Sequence, residues 1–313
     1  MLIAIDHGNY AIKTQNNSFI SGLTEYSVRP PLAEDVIEYE GRFWALTGNR
    51  IPYMRDKSRD ERYFILSLFA IVKDLRDQGE LPPYADIDLA VGLPPEHFSV
   101  LQEKYAKYFK RTGIKFVYNN SPVCLTIRRV FVYPQAYAAI IPQAGTLIGT
   151  PRTFLIDVGG YTTDVLLLRN GRPDLQFCRS LETGVITMNN DIIGKVGAQH
   201  DMKIEDDHIS DVILGRETIL PDDAKKTIRE SAVNHASTIL DKLRELQVDL
   251  RTNPAIFIGG GAILYRPYLE CSPMVARAEF ISDPKANAIG YGILAERQLK
   301  KLAASGGIIC ESA

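Results

Sequence analysis

The chain lacks any excess of basic charge. Lys and Arg number 36 against 38 Asp and Glu, a net charge of −2. A general nucleic-acid binder draws its affinity from neutralising phosphates, so direct contact with DNA or RNA is not expected. Closely spaced cysteines are missing too. Cys124, Cys178, Cys271 and Cys310 lie far apart with no CxxC, which argues against a metal centre and for reduced thiols in a cytoplasmic protein. The N-terminus has no basic region and reaches Asp6 at once, unlike a signal peptide. Residues 130–151 carry no charge for 22 positions, but they contain Pro134, Gln135, Pro142, Gln143 and Gly145. That composition suits a buried strand, a short helix and a loop better than a membrane span, so no membrane contact is expected. A P-loop is absent, because Gly8…Lys13-Thr14 lacks the second glycine. Gly290-x-Gly292-x-x-Ala295 has the spacing of a dinucleotide fingerprint, but residues 282–285 before it do not read as a strand.

What remains is an ordinary globular composition, 45% hydrophobic and 24% charged, over 313 residues, which is enough for two domains. Apolar runs at 2–6, 87–91, 154–157 and 255–258 read as buried strands. Residues 24–58, rich in Pro and Gly, read as a small irregular subdomain. Helical periodicity marks residues 60–78 and 95–112, then 134–141 and 222–250, the last capped by Asp222, and finally 288–302. The tail 305–313 is expected to fray. Residues 142–151 form the best candidate boundary, and the acid-rich stretch 203–211 reads as a solvated face. Strands alternating with helices give an α/β class with mixed sheets.

One pattern occurs twice. With Asp6 placed over Asp157, Gly8 falls on Gly159, Asn9 on Gly160, Tyr10 on Tyr161 and Lys13 on Asp164. Each copy is an apolar strand, a glycine turn and a returning strand. Such a turn presents backbone N–H groups, and glycine lets phosphate oxygens come close. The two Asp carboxylates could hold a hydrated Mg²⁺, and Lys13 could meet the phosphates. A single Asp-x-Gly is a common turn. Two copies, with a strand opening into Gly259-Gly260-Gly261-Ala262, favour nucleotide binding.

These motifs resemble those of the actin/Hsp70/sugar-kinase superfamily. Residues 6–13 look like its first phosphate motif, 157–164 like its second, and 258–262 like its adenosine motif. Residues 134–139 and 287–292 look like its two connecting helices. All five appear in the family order. Val91-Gly92-Leu93-Pro94 and the following helix with Gln102, Lys104 and Tyr105 look most like the ParM-type plasmid-segregation actins and their archaeal relatives.

The resemblance implies two RNase H-like domains facing a nucleotide cleft. The first would span 1–150 with an insertion near 29–85, with the C-terminal helix 288–313 returning to it. The second would span 151–287 with an insertion near 186–250. It implies binding of ATP or ADP with Mg²⁺, hydrolysis coupled to closure, and self-assembly into filaments whose contact with DNA is delegated to an adaptor protein. Asp157 would organise Mg²⁺ and water, with Asp6 its partner, although either could be only a turn-capping residue. Gln135 would orient the attacking water, or be merely a polar residue at a helix start. Asp164 could assist metal or water. Gly8, Asn9, Tyr10 and Lys13 would line one phosphate loop. Gly159, Gly160, Tyr161 and Thr162 would line the other. Gly259, Gly260, Gly261 and Ala262 would face the adenosine, with Thr183, Gly184 and residues 189–191 near ribose or base. Tyr161 departs from the Gly or Thr usual at its position. His7 is expected to be structural. A small-molecule kinase of the same superfamily is the alternative, although no substrate-activating Asp can be assigned. An Hsp70-type chaperone is disfavoured, because no room remains after residue 302 for a peptide-binding domain.

Overall fold

The structure, a computed structural model, describes residues 1–147 and 149–306; Cys310 and most of the tail expected to fray lie outside the described residues. The chain divides into two compact units, Met1–Pro142 with Lys285–Ala313, and Gln143–Pro284.

The first unit is built on a nine-stranded sheet. In chain order its strands are β1 (Leu2–His7), β2 (Ala11–Lys13), β3 (Ser18–Ile20), β4 (Gly22–Tyr26), β5 (Val36–Tyr39), β6 (Arg42–Arg50), β7 (Tyr84–Leu93), β8 (Ile114–Tyr118) and β9 (Ser121–Pro134). They lie side by side in the order β3-β2-β1-β7-β9-β8-β5-β6-β4. β1, β7 and β9 run parallel, and the remaining neighbours are antiparallel, which gives the mixed sheet expected. The segment read as irregular, 24–58, instead supplies β5 and β6 to this sheet. Ile37 pairs with Tyr118 there, a contact between strands too distant in sequence for periodicity to reveal.

Helix α1 (Glu61–Arg76) starts where the Asp60 carboxylate accepts the Arg62 N–H. Residues 63–72 are buried without interruption, so this helix is apolar on every side and sinks into the core with Ile5, Ile12, Leu89 and Phe109. Helix α2 (Pro95–Phe109) begins with proline in its first turn.

The second unit holds a five-stranded sheet of β10 (Thr153–Val158), β11 (Thr163–Arg169), β12 (Arg172–Leu181), β13 (Ala255–Ile258) and β14 (Ala278–Phe280), ordered β12-β11-β10-β13-β14. Helices α3 (Val185–His200), α4 (Asp206–Ile213), α5 (Asp222–Glu245) and α6 (Gly259–Glu270) cover it. The acid-rich stretch forms α4, which turns Ile209, Val212 and Ile213 inward. Helix α5 stops earlier than its apolar pattern predicts, because Gln247 adopts a left-handed φ of 62° and the chain folds back. Pro221, not Asp222, takes its N-cap position, and Asp222 lies in the exposed first turn.

Helix α7 (Ala286–Gly306) returns to the first unit, where Tyr291 and Ala295 pack on Ala4, Ala90, Phe131 and Ala138. Its Gly290 and Gly292 serve packing. A Cβ at 290 would fall 1.9 Å from the Ala138 carbonyl oxygen, and one at 292 would fall 2.2 Å from the Gln15 amide. Among the described residues no helix is long and apolar enough to cross a membrane.

Candidate functional site

The repeated pattern is repeated geometry. β1 and β2 form an antiparallel hairpin that sets Asp6 opposite Lys13 and His7 opposite Ile12. β10 and β11 form another, with Asp157 opposite Asp164 and Val158 opposite Thr163. In both, the glycine two residues after the Asp cannot carry a side chain freely. A Cβ on Gly8 would sit 2.6 Å from the Ala11 carbonyl oxygen, and one on Gly159 would sit 3.2 Å from that of Thr162. The two glycines therefore occupy equivalent places in the hairpins, with the stricter demand at Gly8.

In the first unit the Asp6 side chain is buried and doubly engaged. Lys13 Nζ lies 3.6 Å from Oδ2, and Gln135 Nε2 donates to Oδ1 at 3.0 Å. Asp6, Lys13 and Gln135, separated widely in sequence, thus form one cluster beside the Gly8–Tyr10 turn. Asn9 Oδ1 accepts from the Tyr63 hydroxyl at 3.2 Å, and the Arg50 guanidinium lies 5.0 Å over the Tyr10 ring. Gln135 does not start a helix. It lies in a turn after β9, and the following helical segment, a 3-10 helix, runs over Ala138–Leu147.

His7 is structural, as expected. Its ring is buried, stacks on Phe109 with centroids 5.0 Å apart, and shares a 2.7 Å hydrogen bond with Ser67 Oγ through Nε2. Burial, reinforced by the Lys57 cation, pushes its pKa down to about 3, so the ring is neutral near neutral pH.

In the second unit the loop 159–162 is held from behind by the start of α3. The Gly184, Val185 and Ile186 N–H groups donate to the carbonyls of Tyr161, Gly159 and Gly160 at 2.9, 3.1 and 2.7 Å. Carbonyls used in this way face the helix. Gly184 is compelled, because a Cβ there would fall 2.2 Å from the Gly160 carbonyl oxygen, a backbone atom. Thr162 Oγ1 donates to Asp164 Oδ2 at 3.3 Å.

The glycine run is not a loop. The strand β13 passes straight into α6, whose first residues are Gly259, Gly260 and Gly261. Gly259 has a φ of 89°, and a Cβ there would lie 2.6 Å from Asp157 Oδ1. Asp157 therefore sits against the start of α6, where unpaired backbone N–H groups favour negative charge. Gly261 is needed for close packing on Val158 and Val185, with Ala262 buried beside it, while Gly260 is exposed. Asp157, the loop 159–162, Gly184 and residues 259–262 are thus gathered within one unit.

Two buried polar atoms beside this cluster, Thr183 Oγ1 and Asn189 Oδ1, have no hydrogen-bond partner. Orphaned acceptors and donors of this kind invite a polar ligand or water. Among the described residues there is no group of three or more His, Cys, Asp or Glu side chains fit to hold a metal by themselves. A Mg²⁺ that keeps its waters and is shared with phosphates needs only one or two carboxylates, and each unit carries one on its hairpin, Asp6 in the first and Asp157 in the second.

Several supporting contacts are not announced by local spacing. Ser21 Oγ donates to the Gly8 carbonyl at 2.6 Å, Lys57 Nζ donates to the His7 carbonyl, and Asn287 Oδ1 accepts from the Ala136 N–H at 3.0 Å. Each acts through tertiary contact across a long sequence interval, so no local spacing announces it.

Comparison with known proteins agrees with this geometry. Residues 4–137 match the family model described as actin like proteins N terminal domain, and residues 155–271 match that of the archaeal actin homologue MreB-like, C-terminal. No curated protein matches the chain. Among solved structures, Ta0583, an archaeal actin homolog in complex with ADP, is 19% identical with a TM-score of 0.72, covering 95% of this chain and 99% of that chain. A ParM filament from Clostridium botulinum is 21% identical with a TM-score of 0.72, with the same coverage of 95% and 99%. The AlfA filament bound to AMPPNP is 15% identical with a TM-score of 0.60, covering 96% and 98%. These likenesses show the two-domain fold that the nucleotide motifs imply. Two family models, both of actin-like proteins, and the paired glycine hairpins lead to one conclusion: the chain belongs to the actin-like superfamily, and it shares its fold with ParM and archaeal actin structures.

Proposed function

We propose that this chain binds ATP with Mg²⁺, hydrolyses it, and assembles head to tail into filaments that follow the state of the nucleotide. The observation that carries this reading is the duplicated hairpin. The same Asp, a glycine two residues after it in a crowded turn and the same register occur in both units, and the second copy is joined by the glycine-rich start of α6. Backbone N–H groups of 8–10 and 159–162 would hold phosphate oxygens, and Lys13 would add a point charge. Residues 259–262, with Gly184, would lie along the adenosine. Asp157 and Asp6 would hold Mg²⁺ through its waters; when bound, the ion neutralises charge developing on the phosphates. Gln135, already fixed to Asp6, would orient the attacking water, with Asp164 on the second hairpin assisting.

Filament assembly rests on the superfamily and on neighbours solved as filaments. A head-to-tail contact uses two different surfaces of each subunit and so grows without closing, unless it forms a ring. The net charge of −2 fits a cytoplasmic filament that reaches DNA through an adaptor protein, for plasmid or other DNA segregation.

The test combines phosphate release, pelleting and light scattering with ATP, ADP and a non-hydrolysable analogue. Lasting polymer with the analogue and transient polymer with ATP are expected. A chain that stays monomeric with all three, yet phosphorylates a small molecule, would overturn this reading in favour of a kinase.

A further inference from the structure

Gln135 is followed by an unusual backbone. The Tyr137 N–H donates to the Gln135 carbonyl at 2.6 Å, closing a three-residue turn around Ala136. Ala136 has a φ of 61°, in the left-handed region that a residue with a Cβ rarely occupies. A γ-turn with its central residue at positive φ is rare and strained, and such strain persists only where the surroundings impose it. Here the imposition is visible. The buried Asn287 side chain, near the start of α7, accepts the Ala136 N–H at 3.0 Å. The Gln135 N–H is fixed at the other side by the Leu93 carbonyl at 2.9 Å. The same helix packs Gly290 on Ala138 and Tyr291 on Gly92, so its first turns grip the whole segment.

We infer that Asn287 is a positioning residue: it holds the turn at Ala136 in its strained form and thereby aims the Gln135 amide at Asp6 and at the water to be attacked. The inference rests on the proposed role of Gln135 in hydrolysis. Asn287 touches neither nucleotide nor water in this scheme. Without its acceptor, Ala136 relaxes to negative φ, and the peptide between residues 135 and 136 turns with it.

Four variants test this. Asn287→Ala is expected to slow ATP turnover about 10-fold, the loss attached to one misaligned group, with nucleotide affinity unchanged. Asn287→Asp keeps an acceptor oxygen and should restore most of the rate. In Asn287→Ala/Ala136→Gly, glycine takes positive φ without help, and turnover should recover. In a Gln135→Ala background, Asn287→Ala should have no further effect, because both act through one group. Further slowing there by the same factor would overturn the inference. A nucleotide-free crystal structure of Asn287→Ala provides a readout independent of activity. Loss of positive φ at Ala136 and of the Gln135–Asp6 hydrogen bond is expected, and their retention would overturn the inference whatever the turnover. If Gln135→Ala alone hydrolyses ATP normally, the reading of Gln135 fails instead, while the structural arm still decides what Asn287 holds.

Discussion

The two glycine hairpins share their register but are braced in different ways. The turn after Asp6 is tied mainly by side chains, with Ser21 Oγ on the Gly8 carbonyl and Tyr63 on Asn9, and by a single backbone bond from the Ser21 N–H to the Tyr10 carbonyl. The turn after Asp157 is tied by backbone, three successive N–H groups at the start of α3. The flanking chemistry differs as well. Asp6 is opposite a lysine and bonded to a glutamine, whereas Asp157 is opposite another acid and sits against the start of α6. A side-chain brace can be cut one atom at a time, while a helix-borne brace fails only with the helix or with the glycine that lets it approach. The second hairpin should therefore be the less forgiving of the two.

The largest expected effect separates the two acids. Asp157→Asn should lower ATP turnover by about 100-fold, the scale of losing one charge that stabilises the transition state. Its position beside the start of α6 predicts some loss of thermal stability too, and phosphate-release assays with melting curves check both. Wild-type turnover would show Asp157 to be only a helix-capping acid. Gly184→Ala comes next. Its methyl group would overlap a backbone carbonyl, an overpacking of about 3 kcal/mol. Denaturant unfolding should show the loss, and Mg-ATP should no longer raise the melting temperature.

A third expectation concerns pH and belongs to the first hairpin alone. His7 titrates near 6.5 when unfolded but near 3 when folded. Protons therefore bind the unfolded chain more readily between these values. The stability contributed by the neutral ring is complete above about pH 6.5 and is lost as pH falls toward 3, roughly 2 kcal/mol by pH 5. His7→Gln, which preserves a hydrogen-bonding group toward Ser67, should flatten this part of the stability profile. The smallest effect is that of Ser21→Ala, about 1 kcal/mol for one hydrogen bond, with a modest rise in the nucleotide concentration needed for half-maximal stabilisation. If Ser21→Ala proved as damaging as Gly184→Ala, the contrast between side-chain and backbone bracing would fail.

The hairpins were legible because their demand is local. An apolar run, a glycine and a returning run of fixed length determine where Asp6 and Asp157 stand. Helix α1 was legible for the same reason, though its burial on all sides was not, since periodicity reports one face. What escaped was non-local. β5 finds β8 only after the chain between them has folded, and the helix expected at 134–141 is displaced to Ala138 by the turn that Asn287 imposes. Helix α3 carries Gly194 and Gly197, both poor helix formers, yet it braces the second loop. Nothing in the glycine run 259–262 announces that it begins a helix. Glycine is a poor helix former, and here close approach to Asp157, Val158 and Val185 outweighs that preference.

The return of α7 to the first unit sets an order on synthesis. A ribosome emits β1 first, then all of residues 143–284, and only afterwards the helix whose Tyr291 and Ala295 cover Ala4, Ala90, Phe131 and Ala138. The second unit is continuous and can condense as it emerges, whereas the first stays open along that apolar face until α7 has emerged. On a growing chain, the unit that begins first is the one that finishes last, and Gln135 gains its neighbour Asn287 only at that closing step.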